Sequence, residues 1–191
     1  NLSTVVGILS LQGAFSKHAQ ALEKLNVNHI SVKYPKDLTT CDALIIPGGE
    51  STSFSKLIYK NKLYDCLKEF ALVQPVFGTC AGLILLSNIN TEHVTGLGIL
   101  DIKIERNGWG RQINSFNKSI LLNGMTSSNF NAVFIRAPRI LKLNNKDTKI
   151  LSTLYDEPVL IQNKKCLGAT FHPELTSDLT IHKYFIKMID D

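Results

Sequence analysis

The sequence predicts an α/β fold: a mostly parallel central sheet with helices on both faces and an antiparallel extension. Three observations predict it. In the first half, short apolar runs end in glycine- or proline-containing turns and alternate with amphipathic segments, the pattern of βαβ units whose sheet is covered on both sides. In the second half, short strands follow one another, and Leu100, Ile102 and Ile104 alternate with Asp101, Lys103 and Glu105, which gives one wet face. The chain has 191 residues, 44% hydrophobic and 19% charged. That suits one domain over residues 1–191, with a core that needs no disulfide or metal staple.

The elements read off in order. Val5-Val6-Gly7-Ile8-Leu9 is a strand running into the turn Ser10-Leu11-Gln12-Gly13. Phe15, Ala19, Leu22 and Leu25 then recur at helical spacing. His29–Tyr34 and Ala43–Ile46 are the second and third strands, the latter stopped by Pro47-Gly48-Gly49. Ser53–Phe70 reads as mostly helical, with Leu57, Leu63, Leu67 and Phe70 facing the core. Pro75-Val76-Phe77 is a fourth strand and Ala81–Ser87 a helix. After the alternating Leu100–Glu105 segment come strands near Ser119–Leu122, Val133–Arg136, Ile150–Leu154, Val159–Gln162 and Cys166–Thr170, forming the antiparallel extension. A helix from about Leu179 to Asp190 closes the chain.

The net charge is +5 and the pI near 9.0, values that raise the question of nucleic acid. The 17 lysines are scattered along the chain without a basic run or interleaved aromatics, so they read as a solvated face and no nucleic-acid partner is expected. No apolar run reaches the length of a membrane span, and Asn1-Leu2-Ser3-Thr4 carries no basic stretch ahead of an apolar one. A start at Asn1 in place of methionine is expected to reflect processing or trimming, which leaves room for a removed targeting segment. The four arginines, Arg106, Arg111, Arg136 and Arg139, all fall within one 34-residue stretch. Guanidinium is the fork for carboxylate or phosphate, so the cluster hints at an anionic ligand or partner, with chance as the competing account.

Cysteine usage separates one residue from three. None of Cys41, Cys66, Cys80 and Cys166 forms a C-x-x-C pair, and no histidines sit at ligand spacing, so no metal is expected. Cys41, Cys66 and Cys166 lie beside apolar runs and read as small buried hydrophobes in a reducing compartment. Cys80 instead sits in Gly78-Thr79-Cys80-Ala81-Gly82, between a strand and a helix. This has the form of a nucleophile elbow with cysteine in place of serine. Glycines two residues to either side relieve crowding, the helix start favours a thiolate, and the Ala81 N–H points where an oxyanion would form. Phe171-His172-Pro173-Glu174 ends the last strand. Residues two apart share a face of an extended segment, so His172 and Glu174 are expected to meet, with the carboxylate fixing the imidazole tautomer. Pro47-Gly48-Gly49-Glu50-Ser51 follows the third strand, where ligands of parallel sheets bind. Its glycines allow close backbone approach and offer a second oxyanion donor.

These segments together resemble class I, triad-type glutamine amidotransferases. Within that class the resemblance narrows to the glutaminase subunits of pyridoxal 5′-phosphate synthase. It is carried by Ser10-Leu11-Gln12-Gly13-Ala14-Phe15, Ile46-Pro47-Gly48-Gly49-Glu50-Ser51-Thr52, Phe77-Gly78-Thr79-Cys80-Ala81-Gly82-Leu83-Ile84, Glu105-Arg106-Asn107-Gly108-Trp109-Gly110-Arg111-Gln112, Phe134-Ile135-Arg136-Ala137-Pro138 and Phe171-His172-Pro173-Glu174-Leu175. They run in the family's order over nearly the whole chain.

The resemblance implies a three-layer flavodoxin-like fold and a single glutaminase domain. It makes Cys80 the nucleophile, His172 the base and Glu174 its orienter, with Gly49 and Ala81 as oxyanion donors. Gly48, Gly49, Glu50, Arg106, Ile135 and Arg136 would line the L-glutamine site, and Gln12 would sense a partner. It implies no cofactor, a cytoplasmic location, and a hetero-oligomer with a barrel-shaped synthase subunit that makes pyridoxal 5′-phosphate from a pentose phosphate and a triose phosphate. Two departures stand out. Gly108-Trp109 replaces a small residue plus Phe or Tyr, and Arg139 stands where another residue is more usual. Two alternatives stay open: a glutaminase serving another synthase, and a non-catalytic thiol-sensing module on the same scaffold.

Overall fold

The structure, a computed structural model, describes residues 3–12, 15–107, 115–125 and 128–190. Its central sheet has seven strands in the order β2 (Asn28–Val32), β1 (Val5–Leu9), β3 (Ala43–Ile46), β4 (Val76–Thr79), β11 (Cys166–Ala169), β10 (Glu157–Asn163) and β9 (Lys149–Leu154). The first five run parallel, and β10 and β9 complete the sheet antiparallel. Every residue of β3, β4 and β11 is buried, which is why these strands read as unbroken apolar runs.

Side chains alternate between two cores. On one face Val6, Ile8, Ile45, Phe77, Leu167 and Ala169 meet Leu22 of α1 (Phe15–Lys24) and Ile181, Phe185 and Met188 of α5 (Thr180–Asp190). On the other, Leu9, Leu44, Ile46, Val76 and Cys166 meet α2 (Ser51–Lys60), α3 (Tyr64–Val73) and α4 (Ala81–Leu86) through Phe54, Ile58, Leu67, Leu83 and Leu86. This is the expected three-layer arrangement.

Some expectations need refinement. The segment from Ser53 to Phe70 is mostly helical as expected, but in two helices. α2 ends where Lys62 takes a left-handed φ of 58°, Lys62 N–H reaches the Tyr59 carbonyl, and Leu63 N–H closes on the Ile58 carbonyl at 2.8 Å. That is a Schellman ending with lysine where glycine usually marks it, so no sequence signal announces the break. Leu57 is only half-buried, and Phe54 and Ile58 take the core positions instead. On α1, likewise, Phe15 is exposed, and the buried face is His18, Ala21 and Leu22.

The antiparallel extension is also smaller than expected. Among the described residues only β9 and β10 add antiparallel strands to the sheet. β5 (Ile102–Glu105) pairs with β8 (Arg139–Leu143), a strand the alternation did not reveal, and β6 (Ser115–Leu121) pairs with β7 (Asn129–Ile135). These are separate ribbons, one on each face: Phe130 and Phe134 join the first core, Ile102 and Ile140 the second. The strand β11 is parallel to β4 and antiparallel to β10, so it is the junction between the two halves of the sheet.

Candidate active site

β4 ends at Thr79 and α4 begins at Ala81, so Cys80 alone turns the corner. Its backbone lies at φ 54° and ψ −110°, a conformation that persists only where the surroundings over-determine it. Cys80 N–H donates to the Ala169 carbonyl at 2.9 Å, and Ile84 N–H donates to the Cys80 carbonyl at 3.2 Å. The flanking glycines are obligatory. A Cβ on Gly82 would stand 1.9 Å from the Ile46 carbonyl oxygen, and one on Gly78 would stand 2.7 Å from the Gly82 oxygen. The Cys80 thiol is directed to the Ile135 carbonyl at 3.7 Å.

His172 follows β11 and is tied to β7 by its N–H, which donates to the Val133 carbonyl at 2.8 Å. Its Nδ1–H donates to Glu174 Oε2 at 2.8 Å. The two side chains meet as expected, but for a different reason. Pro173–Leu175 is a turn of 3₁₀ helix, not an extended segment, and it swings the buried Glu174 back onto the imidazole. Burial opposes a charge on His172, but hydrogen bonds to Cys80 and Glu174, and the charges of both, outweigh it and raise its pKa to about 10. These interactions favour the imidazolium form of His172.

These groups open into a cavity of about 740 Å³ lined by Gly48, Gly49, Glu50, Ser51, Cys80, Ala81, Ile84, Arg106, Asn107, Ile135, Arg136, His172 and Leu175. Every residue expected at the glutamine site and oxyanion hole therefore shares one cavity with Cys80 and His172. Ser51, Ile84, Asn107 and Leu175 were not singled out beforehand. Asn107 and Arg136 hold left-handed φ values of 51° and 45°, so the cavity wall is made partly of conformations that non-glycine residues rarely adopt.

The Pro47–Ser51 loop is fixed at several points. Gly48 packs against the imidazole, since a Cβ there would lie 2.5 Å from His172 Cε1. Gly49 has φ 154°, and a Cβ on it would meet Gln12 Oε1 at 2.6 Å. That same Oε1 accepts the Glu50 N–H at 2.7 Å, so Gln12 latches the loop from the end of β1. The Glu50 carboxylate caps α2, accepting the N–H groups of Thr52 at 3.0 Å and Ser53 at 2.7 Å. These amides pull its pKa down to about 2. Glu50 therefore lines the cavity while its carboxylate is engaged with its own helix.

The arginine cluster divides. Arg106 and Arg136 line the cavity. Arg139 instead forks onto Glu157, with Nε donating to Oε2 at 2.9 Å and Nη2 to Oε1, and thereby pins β8 to β10. Gly13, Trp109 and Arg111 lie outside the described residues.

The other three cysteines are unsuited to nucleophilic chemistry. Burial pushes the Cys166 thiol up to about 12, and burial plus the charges of Asp42 and Asp37 push Cys41 up to about 11. Burial also raises Cys66. Behind Glu174 lie two buried imidazoles that sequence reasoning missed, His18 of α1 and His182 of α5. Their signal was available: each is a polar residue on an otherwise apolar helical stripe, His18 with Ala21 and Leu22, His182 with Ile181 and Phe185.

Comparison with known proteins fits this architecture. A solved structure described as a glutamine amidotransferase superposes with a TM-score of 0.90 at 37% identity, covering 97% of this chain and 99% of the other. PurLQS from Thermotoga maritima, at 14% identity and a TM-score of 0.72, shares the fold, with 97% and 98% of the chains covered. The class is that of the flavodoxin-like, class I glutamine amidotransferases. The model of the SNO glutamine amidotransferase family matches residues 8–191. Relatives named pyridoxal 5′-phosphate synthase subunit PdxT are 43% identical in Francisella philomiragia subsp. philomiragia (98% of this chain, 100% of that one) and 44% in Thermosipho africanus (96% and 98%). The chain belongs to the SNO glutamine amidotransferase family.

Proposed function

We propose that the chain hydrolyses L-glutamine to L-glutamate and ammonia and passes the ammonia to a synthase subunit that makes pyridoxal 5′-phosphate. The observation that carries this reading is a cavity lined by Cys80 and His172, with the buried Glu174 bonded to the far side of the imidazole, on a chain belonging to a glutamine amidotransferase family. The Cys80 thiolate attacks the side-chain amide carbon, forming a C–S bond and an oxyanion held by the N–H groups of Gly49 and Ala81. His172 gives its proton to the amide nitrogen, the C–N bond breaks and ammonia leaves. Water then attacks the thioester while His172 takes its proton. The C–S bond breaks, glutamate departs and the thiolate–imidazolium pair is restored. Thiol, imidazole, carboxylate and water account for every proton and electron pair, so the reaction asks for no cofactor. Four free cysteines suit a reducing compartment, which supports a cytoplasmic location for the proposed reaction.

The deciding experiment mixes the chain with its synthase subunit, the two phosphorylated sugar substrates and amide-15N glutamine. The label is expected in the pyridoxal 5′-phosphate product. A synthase that incorporates only free ammonia would sink the reading.

Arg106 and Arg136 are the proposed partners of the glutamine α-carboxylate. Arg106→Lys keeps the charge and loses the fork, so the KM for glutamine should rise about tenfold with kcat little changed. Kinetics at saturating synthase test this, and an unchanged KM would move Arg106 from substrate binding to the subunit interface.

The Gly48-Gly49 peptide and the Gln12 latch also suggest control by docking. Glycine accepts both signs of φ, so this peptide can present either its N–H or its carbonyl to the oxyanion. Loss of one such donor costs roughly 10²–10³ in rate. The isolated chain should therefore release glutamate slowly and gain on that order when the synthase docks. Gly49→Ala, whose Cβ would strike Gln12, should blunt the gain. Full activity in the isolated chain would overturn docking control.

A further inference from the structure

The reaction described above leaves two buried histidines unused. His18 is fully buried and His182 is 1% exposed, the first on α1 and the second on α5. Polar rings removed from water destabilise a fold unless they find partners. The partners of these two lead to the triad. His18 Nδ1 lies 2.9 Å from His182 Nε2. His18 Nε2 lies 3.7 Å from Glu174 Oε1 and 3.5 Å from Oγ1 of Thr79, the residue before Cys80. Two atoms of the cluster have no hydrogen-bond partner among the described residues, Glu174 Oε1 and His182 Nδ1.

Burial, reinforced at His18 by the neighbouring His182 and His172, drives both rings toward the neutral form. A neutral pair has two arrangements. In one, His182 Nε2–H donates to His18 Nδ1, and His18 carries its proton on Nε2, facing Glu174 Oε1 and Thr79. The atom left over is then the bare lone pair of His182 Nδ1. In the other, His18 donates to His182, which leaves a buried N–H on His182 without an acceptor and turns a ring lone pair toward a carboxylate. Orphaned buried N–H groups are the rarer and costlier defect, so the first arrangement wins.

We propose that His18 and His182 are positioning residues for glutamine hydrolysis: His18, its tautomer set by His182, holds Glu174 Oε1 while Glu174 Oε2 holds His172. This inference rests on the glutaminase reading. The carboxylate is gripped from both sides, so it cannot swing away from the imidazole it orients. The 3.7 Å separation needs to close by only a few tenths of an ångström to become a hydrogen bond, a tightening common when a substrate fills such a site.

Side-chain geometry supplies the test. The amide nitrogen of asparagine reaches the Nδ1 position of histidine and leaves Glu174 Oε1 unmet. That of glutamine reaches the Nε2 position. In complex with the synthase, His18→Asn should lower kcat for glutamate release about tenfold with little change in KM, and His18→Gln should recover most of it. The groups facing His18 are His182, Thr79, Glu174 and His172, and of these only His172 carries a titrating charge in catalysis. The alkaline limb of kcat/KM should therefore move down in His18→Asn and stay in place in His18→Gln. His182→Asn, which frees His18 to take the wrong tautomer, should resemble His18→Asn and serves if that variant does not fold. Equal losses in His18→Asn and His18→Gln, or no loss in either, would overturn the proposal. If the wild-type complex releases no glutamate, the glutaminase reading falls first. The positioning inference is then decided by the 15N-histidine titration of His172 in the isolated chain: movement in His18→Asn alone supports it, and an unmoved titration rejects it.

Discussion

Cys80→Ala abolishes glutamate release by the chain in complex with its synthase, a loss of at least about 10⁴-fold. No other thiol can substitute. Cys166 and Cys41 are buried with pKa values near 12 and 11, and none of Cys41, Cys66 and Cys166 lines the cavity. The change leaves the fold intact for a local reason. The corner is held by backbone bonds to Ala169 and Ile84 and by the close approach of Gly82 to Ile46, none of which involves sulfur. Alanine meets the same φ of 54° as cysteine. Synthase binding and Tm should therefore match the wild type within a few degrees. Residual turnover close to wild type would remove Cys80 from the role of nucleophile.

His172→Asn should be nearly as damaging, and the double variant Cys80→Ala/His172→Asn no worse than Cys80→Ala, because groups acting as one unit give non-additive losses. Glu174→Gln should cost less and leave a distinct trace in the pH profile. The hydrogen bond and charge of Glu174 are among the causes that hold His172 near 10 against burial. Glutamine keeps an acceptor for Nδ1–H but removes the charge, so the pKa of His172 falls. Activity that depends on the imidazolium is present below that pKa and lost as pH rises through it. The alkaline limb of kcat/KM is therefore expected high in the wild type and shifted downward in Glu174→Gln. An unshifted limb would show that another group sustains the His172 charge.

The sequence made the site more legible than the frame around it. Strand ends are where parallel sheets place their ligands, and Gly78–Gly82, Pro47–Ser51 and His172–Glu174 each follow a strand. Cys80, His172, Gly48, Gly49, Arg106 and Arg136 thus came together as expected. Sequence patterns failed where tertiary contacts decide. Lysine at the left-handed end of α2 hid a helix break. β8 (Arg139–Leu143) buries little beyond Ile140 and so shows weak alternation. His18 and His182 carry no motif, only an anomalous place on apolar stripes. The His172–Glu174 contact was right in outcome, but Pro173 imposes a 3₁₀ turn where an extended segment was expected.

The position of β11 has a consequence for how the chain acquires its activity. This strand, late in the sequence, inserts between β4 and β10, and Val76 pairs with Cys166 across most of the chain's second half. His172 and Glu174 follow it directly. During synthesis the N-terminal βα units emerge early and carry Cys80 with them, yet the corner at Cys80 lacks its bond to Ala169 until the last strand arrives. Such distant pairing slows folding, because loop closure must precede any contact energy. A product terminated before β11 therefore lacks the partner of the Cys80 corner together with His172 and Glu174, and cannot squander glutamine.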